Sequence, residues 1–186
     1  MGVPAKKIRK IAAYHEAGHA VVALAMCVTV RCASIRPDQK RYGRVVTHGP
    51  PEPADAMLFI ALAGPFAHRR FAPGSNWLTG DLNVVCNKIF GRGNRADVKK
   101  QKYLAHVVDD AEQIVDYFWA DIVVAAKALR KHETLTGNEI SAVIRAARRK
   151  SGRRCRIGDP PAFALAARLP TPKHPSRRRA ELRVAA

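Results

Sequence analysis

The segment Tyr14-His15-Glu16-Ala17-Gly18-His19 holds the residues best suited to do chemistry. On an α-helix, positions four apart lie on one side, about one turn from each other. A helical His15 and His19 therefore present two imidazole nitrogens to a single metal ion. Glu16 projects beside that ion, close enough to take a proton from a bound water. This is the H-E-x-x-H arrangement of zinc hydrolases, with the glutamate as general base. Zinc supplies what a side chain alone cannot, lowering the pKa of its water from 15.7 to about 7 and polarising the carbonyl under attack. Gly18 keeps the helix thin where a substrate or second helix approaches, although glycine costs roughly 1 kcal/mol of helix propensity relative to alanine. The alternative is a helix whose two histidines merely face inward. Burying two histidines and a glutamate with neither metal nor partners is costly, which favours the metal.

A catalytic zinc needs a third protein ligand and an open position for water. Glu52, Asp55, His68, Asp81 and His106 are the candidates on later segments. Composition does not rank them. An acidic residue near a helix start suits the role, and Asp81, just after Thr79-Gly80, meets that description.

These residues need elements to hold them. Positions 8, 11, 12, 15, 18, 19, 22, 23 and 26, apolar or small apart from His15 and His19, form an i, i+3/i+4 stripe, which predicts a helix over residues 8 to 28. Residues 27–35 are rich in β-branched side chains and predict a strand, with residues 43–47 as its hairpin partner. The prolines of residues 48–53 make a loop. A second helix is expected over residues 54–71, with Pro65 kinking it or marking a break. Thr79 is placed to cap a third helix over residues 81–90. Residues 97–132 read as a long helical stretch with a break near Phe118-Trp119. The pattern Thr136-Gly137-Asn138-Glu139 is a capping box, opening a last helix that ends near Lys150. The expected fold is mainly α (α+β): a helical bundle with one small β-hairpin.

With the elements in order, the chain resembles the peptidase domain of FtsH-type, ATP-dependent zinc metalloproteases. Ala13-Tyr14-His15-Glu16-Ala17-Gly18-His19-Ala20 looks like that family's AYHEAGHA signature. Ile60-Ala61-Leu62-Ala63-Gly64-Pro65 is similar to its glycine-containing helix, and Thr79-Gly80-Asp81-Leu82 to the segment bearing its third ligand. Glu133-Thr134-Leu135-Thr136-Gly137-Asn138-Glu139-Ile140 is similar to its closing turn. The resemblance spans residues 8 to 145. It implies a zincin-like fold, zinc bound by His15, His19 and Asp81, and a water activated by Glu16. The chain departs from the pattern in its second helix, with Gly64-Pro65 and His68-Arg69 in place of paired glycines and acidic residues. The departures bear on substrate contacts more than on metal chemistry. No G-x-x-x-x-G-K-[ST] phosphate loop occurs. The peptidase is therefore expected to stand alone, cutting peptides or flexible segments unless it borrows an ATPase partner in trans.

Charge divides the chain of 186 residues in two. Its formal net charge is +18, and from Arg145 onward there are 13 basic and 2 acidic residues, a net of +11. The remaining 20 basic and 13 acidic residues leave the first 144 at +7. The expected organisation is a peptidase domain over 1–150 and a basic, Pro/Arg-rich, disordered tail over 151–186. That tail supports a competing reading, an idle helical scaffold that binds nucleic acid through phosphates. Phe163 is its one aromatic residue, so base stacking has little support. Cys27, Cys32, Cys86 and Cys155 form no CxxC pair, which fits free thiols in a reducing compartment. The best apolar run, residues 17–30, is interrupted by His19 and too short to span a bilayer. Expectations are thus a cytoplasmic zinc metalloendopeptidase with no transmembrane segment, acting on protein or peptide substrates. Whether it forms a homo-oligomer is left open by the sequence.

Overall fold

The computed structural model of the chain describes residues 5–39, 41–49, 56–74, 79–91 and 95–152. The expected tail lies almost wholly outside the described residues. The element order is α1 (Ala5–Ala25), β1 (Val30–Ser34), β2 (Arg44–Thr47), α2 (Ala56–Phe71), α3 (Thr79–Phe90), α4 (Val98–Tyr117), α5 (Trp119–His132), β3 (Thr134–Thr136) and α6 (Gly137–Lys150). The fold is mainly helical, with one small antiparallel sheet. Among the described residues no helix is long and apolar enough to cross a membrane.

Helix α1 runs through the centre, with Ala13, Ala17, Ala20, Val22 and Ala23 fully excluded from solvent. Small side chains there let α2 come close. A Cβ on Gly18 would lie 2.5 Å from the Ala63 carbonyl oxygen, so only glycine permits this crossing. Helix α2 is apolar on nearly every side and is buried from Leu58 to His68, as a helix with no polar face must be. It continues unbroken through Pro65. Proline removes one i→i−4 hydrogen bond, to the Ala61 carbonyl, without ending the helix.

The hairpin expected from the sequence is part of a three-stranded sheet in the order β2-β1-β3. Ala33 at its centre faces Val45 on one side and Leu135 on the other. Strand β3 closes the chain onto β1, and Ile35 N–H donates to the Glu133 carbonyl (2.8 Å). Glu133 itself adopts φ +63°, and its carboxylate receives Arg9 (2.8 Å) and Arg36 (3.2 Å).

The break in the long helical stretch falls at Phe118, between α4 and α5. Phe118 and Trp119 pack on the core, whereas Tyr117 is exposed. Helix α4 is tied to α2 by ion pairs: Glu112 pairs with Arg69 (2.9 Å) and Asp116 with Arg70. The capping box at Thr136 forms as expected, with Glu139 N–H donating to the Thr136 hydroxyl and Thr136 N–H to the Glu139 carboxylate. Behind it, Arg148 grips Asp121 through two hydrogen bonds, joining α6 to α5.

Candidate metal centre

Three elements build the site. Helix α1 contributes His15, Glu16 and His19 from its buried middle; α3 contributes Asp81 from its first turn. The helix α3 begins at Thr79, two residues before its expected start, so Thr79 is its first residue rather than a cap. His15 Nε2 stands 3.0 Å from His19 Nε2 and 3.1 Å from Asp81 Oδ2, and His19 Nε2 stands 3.7 Å from the same oxygen. A tetrahedral zinc with ligands at 2.0–2.1 Å requires about 3.3–3.4 Å between donor atoms. The three observed separations bracket that value. The His15-His19-Asp81 group can hold a metal ion.

The third element, α2, fixes orientation. His19 Nδ1–H donates to the Ile60 carbonyl (2.6 Å). A carbonyl only accepts, so Nδ1 carries a proton, and Nε2, the nitrogen facing Asp81, is the one left to serve as a metal ligand. Such a partner on the far nitrogen is the usual support of a metal-binding histidine. Two glycines then make room. A Cβ on Gly64 would lie 2.2 Å from His19 Nε2, and one on Gly43 would lie 2.7 Å from Glu16 Oε1. Any side chain at Gly64 would therefore occupy the space beside the metal-facing nitrogen. Any side chain at Gly43, just before β2, would displace the Glu16 carboxylate. The donor set, the 3.0–3.7 Å spacing and this cradle all fit zinc.

At Asp81 burial is the largest influence and pushes the carboxyl up, yet hydrogen bonds from His15 and His19 together hold it well below the usual carboxylate range. Burial also dominates at His15 and keeps its pKa below the ordinary histidine value, despite Asp81. His19 is pressed down by burial but carried net upward by its hydrogen bond to Asp81, the Glu16 and Asp81 charges and Ile60. Glu16, only 6% exposed, is pushed up to about 7, first by burial, with His19 and Arg41 pulling the other way. Its carboxylate thus holds a proton more readily than a solvated glutamate would. The Asp81 side chain is 32% exposed against 12–15% for the two histidines, so the donor cluster opens to solvent on the α3 side.

Among the described residues, Asp81 alone of the third-ligand candidates joins the histidines. His106 is exposed on α4, and Glu52 and Asp55 lie outside the described residues. His68 comes near without joining: it is 1% exposed, and its ring centroid is 6.2 Å from that of His15. Burial, then the neighbouring His15, push its pKa down to about 4, leaving it neutral. His15 Nδ1 is buried with no hydrogen-bond partner among the described residues. Sequence reasoning missed the parts played by Gly43 and by the Ile60 carbonyl. A glycine's missing side chain carries no signal until the neighbour that needs the space is known, and a backbone acceptor looks the same at every residue.

Compared with models of known protein families, the chain matches none, and it matches no curated protein.

Proposed function

We propose that the chain is a zinc-dependent metalloendopeptidase, with His15, His19 and Asp81 as metal ligands and Glu16 as general base. One observation carries this reading: the donor atoms of His15, His19 and Asp81 converge at zinc-like spacing, with a buried carboxylate next in sequence on the same helix. The resemblance of residues 8 to 145 to FtsH-type peptidases points the same way.

Bound zinc supplies Lewis acidity, acidifying water and polarising the scissile carbonyl. The chain's own residues do the rest. The Ile60 carbonyl keeps the His19 proton on Nδ1, so that Nε2 stays available as a ligand. Asp81 balances part of the metal's charge and leaves the site open on its own side. Glu16 accepts the proton of the attacking water on a carboxylate oxygen and hands it to the departing amine nitrogen as the C–N bond breaks. Gly43 and Gly64 keep side chains out of the space where that transfer occurs.

Casein cleavage by the chelator-stripped and zinc-restored protein tests this function. Activity should vanish on stripping and return on adding about one zinc per chain. Absence of cleavage in both states contradicts the proposal.

A further inference from the structure

The stripe of α1 that bears the metal ligands continues toward its N-terminus in steps of four: His19, His15, Ile11, Lys7. At that end a cleft of about 390 Å³ opens between α1 and the chain leaving α2. Ile11 and the Phe71 ring make its apolar floor, Lys7 and Lys10 line one side, and residues 72–74 line the other. The Lys10 ammonium lies 5.0 Å from the centroid of the Phe71 ring, and that ring is stacked 3.9 Å from Tyr14. No carboxylate lines the cleft, and neither lysine is ion-paired among the described residues. Helix stability does not call for them. Lys6 and Lys7 stand in the first turn of α1, which has no acidic residue, where the helix dipole disfavours cations.

We propose that this cleft receives an acidic side chain of the peptide being cut, two to four residues from the scissile bond. The inference rests on the peptidase reading above. The α1 wall belongs to the helix that bears His15 and His19. Ile11 and Lys7 precede His15 by one and two turns, about 6 and 12 Å at 1.5 Å per residue. An extended peptide advances about 3.3 Å per residue, so that distance corresponds to two to four residues. A substrate carboxylate would meet two ammonium groups, whose N–H donors would make charge-assisted hydrogen bonds to it. Its methylenes would rest on Ile11 and Phe71.

Mapping the bonds cut in unfolded casein by the zinc-loaded full chain tests the cleft. Asp and Glu should be enriched two to four residues from the cuts, and the enrichment should disappear in Lys7→Glu/Lys10→Glu. The milder Lys7→Gln/Lys10→Gln should lose it too, whereas the charge-matched control Lys99→Glu/Lys102→Glu, on exposed positions of α4, should keep it. A matched pair of peptides, Glu against Gln at the enriched position, should differ roughly tenfold in kcat/KM for the native chain. Unchanged cut maps in both lysine double variants would overturn the proposal while leaving the peptidase reading intact. A second arm covers failure of cleavage itself, using zinc-loaded Glu16→Gln and a fluorescein-labelled Glu-containing peptide. Binding that weakens roughly tenfold on changing the peptide's Glu to Gln, or Lys7 and Lys10 to Gln, supports the cleft. Binding indifferent to both changes overturns it.

Discussion

At the scale of single residues, the site depends as much on what is missing as on what is present. His15, His19 and Asp81 supply donors, but the histidine ring at 19 stands where it does because Gly64 has no Cβ. This leads to a prediction opposite to helix propensity. Gly64→Ala should favour α2 by about 1 kcal/mol on propensity alone, yet its Cβ would fall 2.2 Å from His19 Nε2. The His19 ring must then move off its Ile60 acceptor. Zinc affinity, measured by competition with a fluorescent chelator, should fall about 10–100-fold, as when a supporting partner of a metal ligand is removed. Helical circular dichroism should be unchanged. Native zinc affinity in Gly64→Ala would mean that the glycine does not shape the site. The sequence revealed the two histidines and the glutamate because their spacing alone defines a helix face. Composition left Asp81 among five candidates, since proximity across 62 residues cannot be read from it; the place of Asp81 near a helix start and the family resemblance singled it out.

At the scale of elements, helices with strong local signals were legible and short non-local pieces were not. The stripe on α1, the break at Phe118 and the capping box of α6 all depend on residues within a turn of one another. Strand β3 has three residues, and it is a strand only because β1, about 100 positions earlier, pairs with it. Two elements carry their own tests. Arg148 and Asp121 join α6 to α5 with side chains 14% and 10% exposed. Arg148→Ala leaves a carboxylate nearly buried without its partner, and should destabilise the fold by about 3 kcal/mol in urea unfolding. In the capping box, hydrogen bonds from Thr136 hold the Glu139 carboxyl below its ordinary value of 4.5. A depressed folded pKa means that the stabilisation is complete above about pH 4.5 and fades as pH falls through the lower folded value. Glutamine can serve the same box without titrating. Thermal unfolding from pH 7 to pH 3 should therefore show Glu139→Gln gaining on the native chain only below pH 4.5. A constant difference across that range would contradict the assignment.

At the scale of the molecule, a helical frame with one small sheet brings chemistry from two distant segments together. Helix α1 is threaded through the core, α2 packs so closely on it that glycine is required at 18, and α3 swings Asp81 back over the histidines. The mainly helical class followed from periodicity, and the sheet's edge at β2 supplies the glycine that fits against Glu16. The positive charge that distinguishes the composition is densest beyond this frame, where residues 153–186 hold 9 basic and 2 acidic residues, a net of +7. Within the frame, Lys7 and Lys10 are the cations that bear on function. The central claim is hydrolysis by a metal-activated water with Glu16 as its base. Its most direct test is casein cleavage by native and Glu16→Gln proteins brought to equal zinc content. Cleavage should fall by about 10²–10⁴-fold in the variant, the usual contribution of a positioned base, with both proteins holding one zinc per chain. Equal cleavage by the two would contradict the assignment of Glu16 and the mechanism built on it.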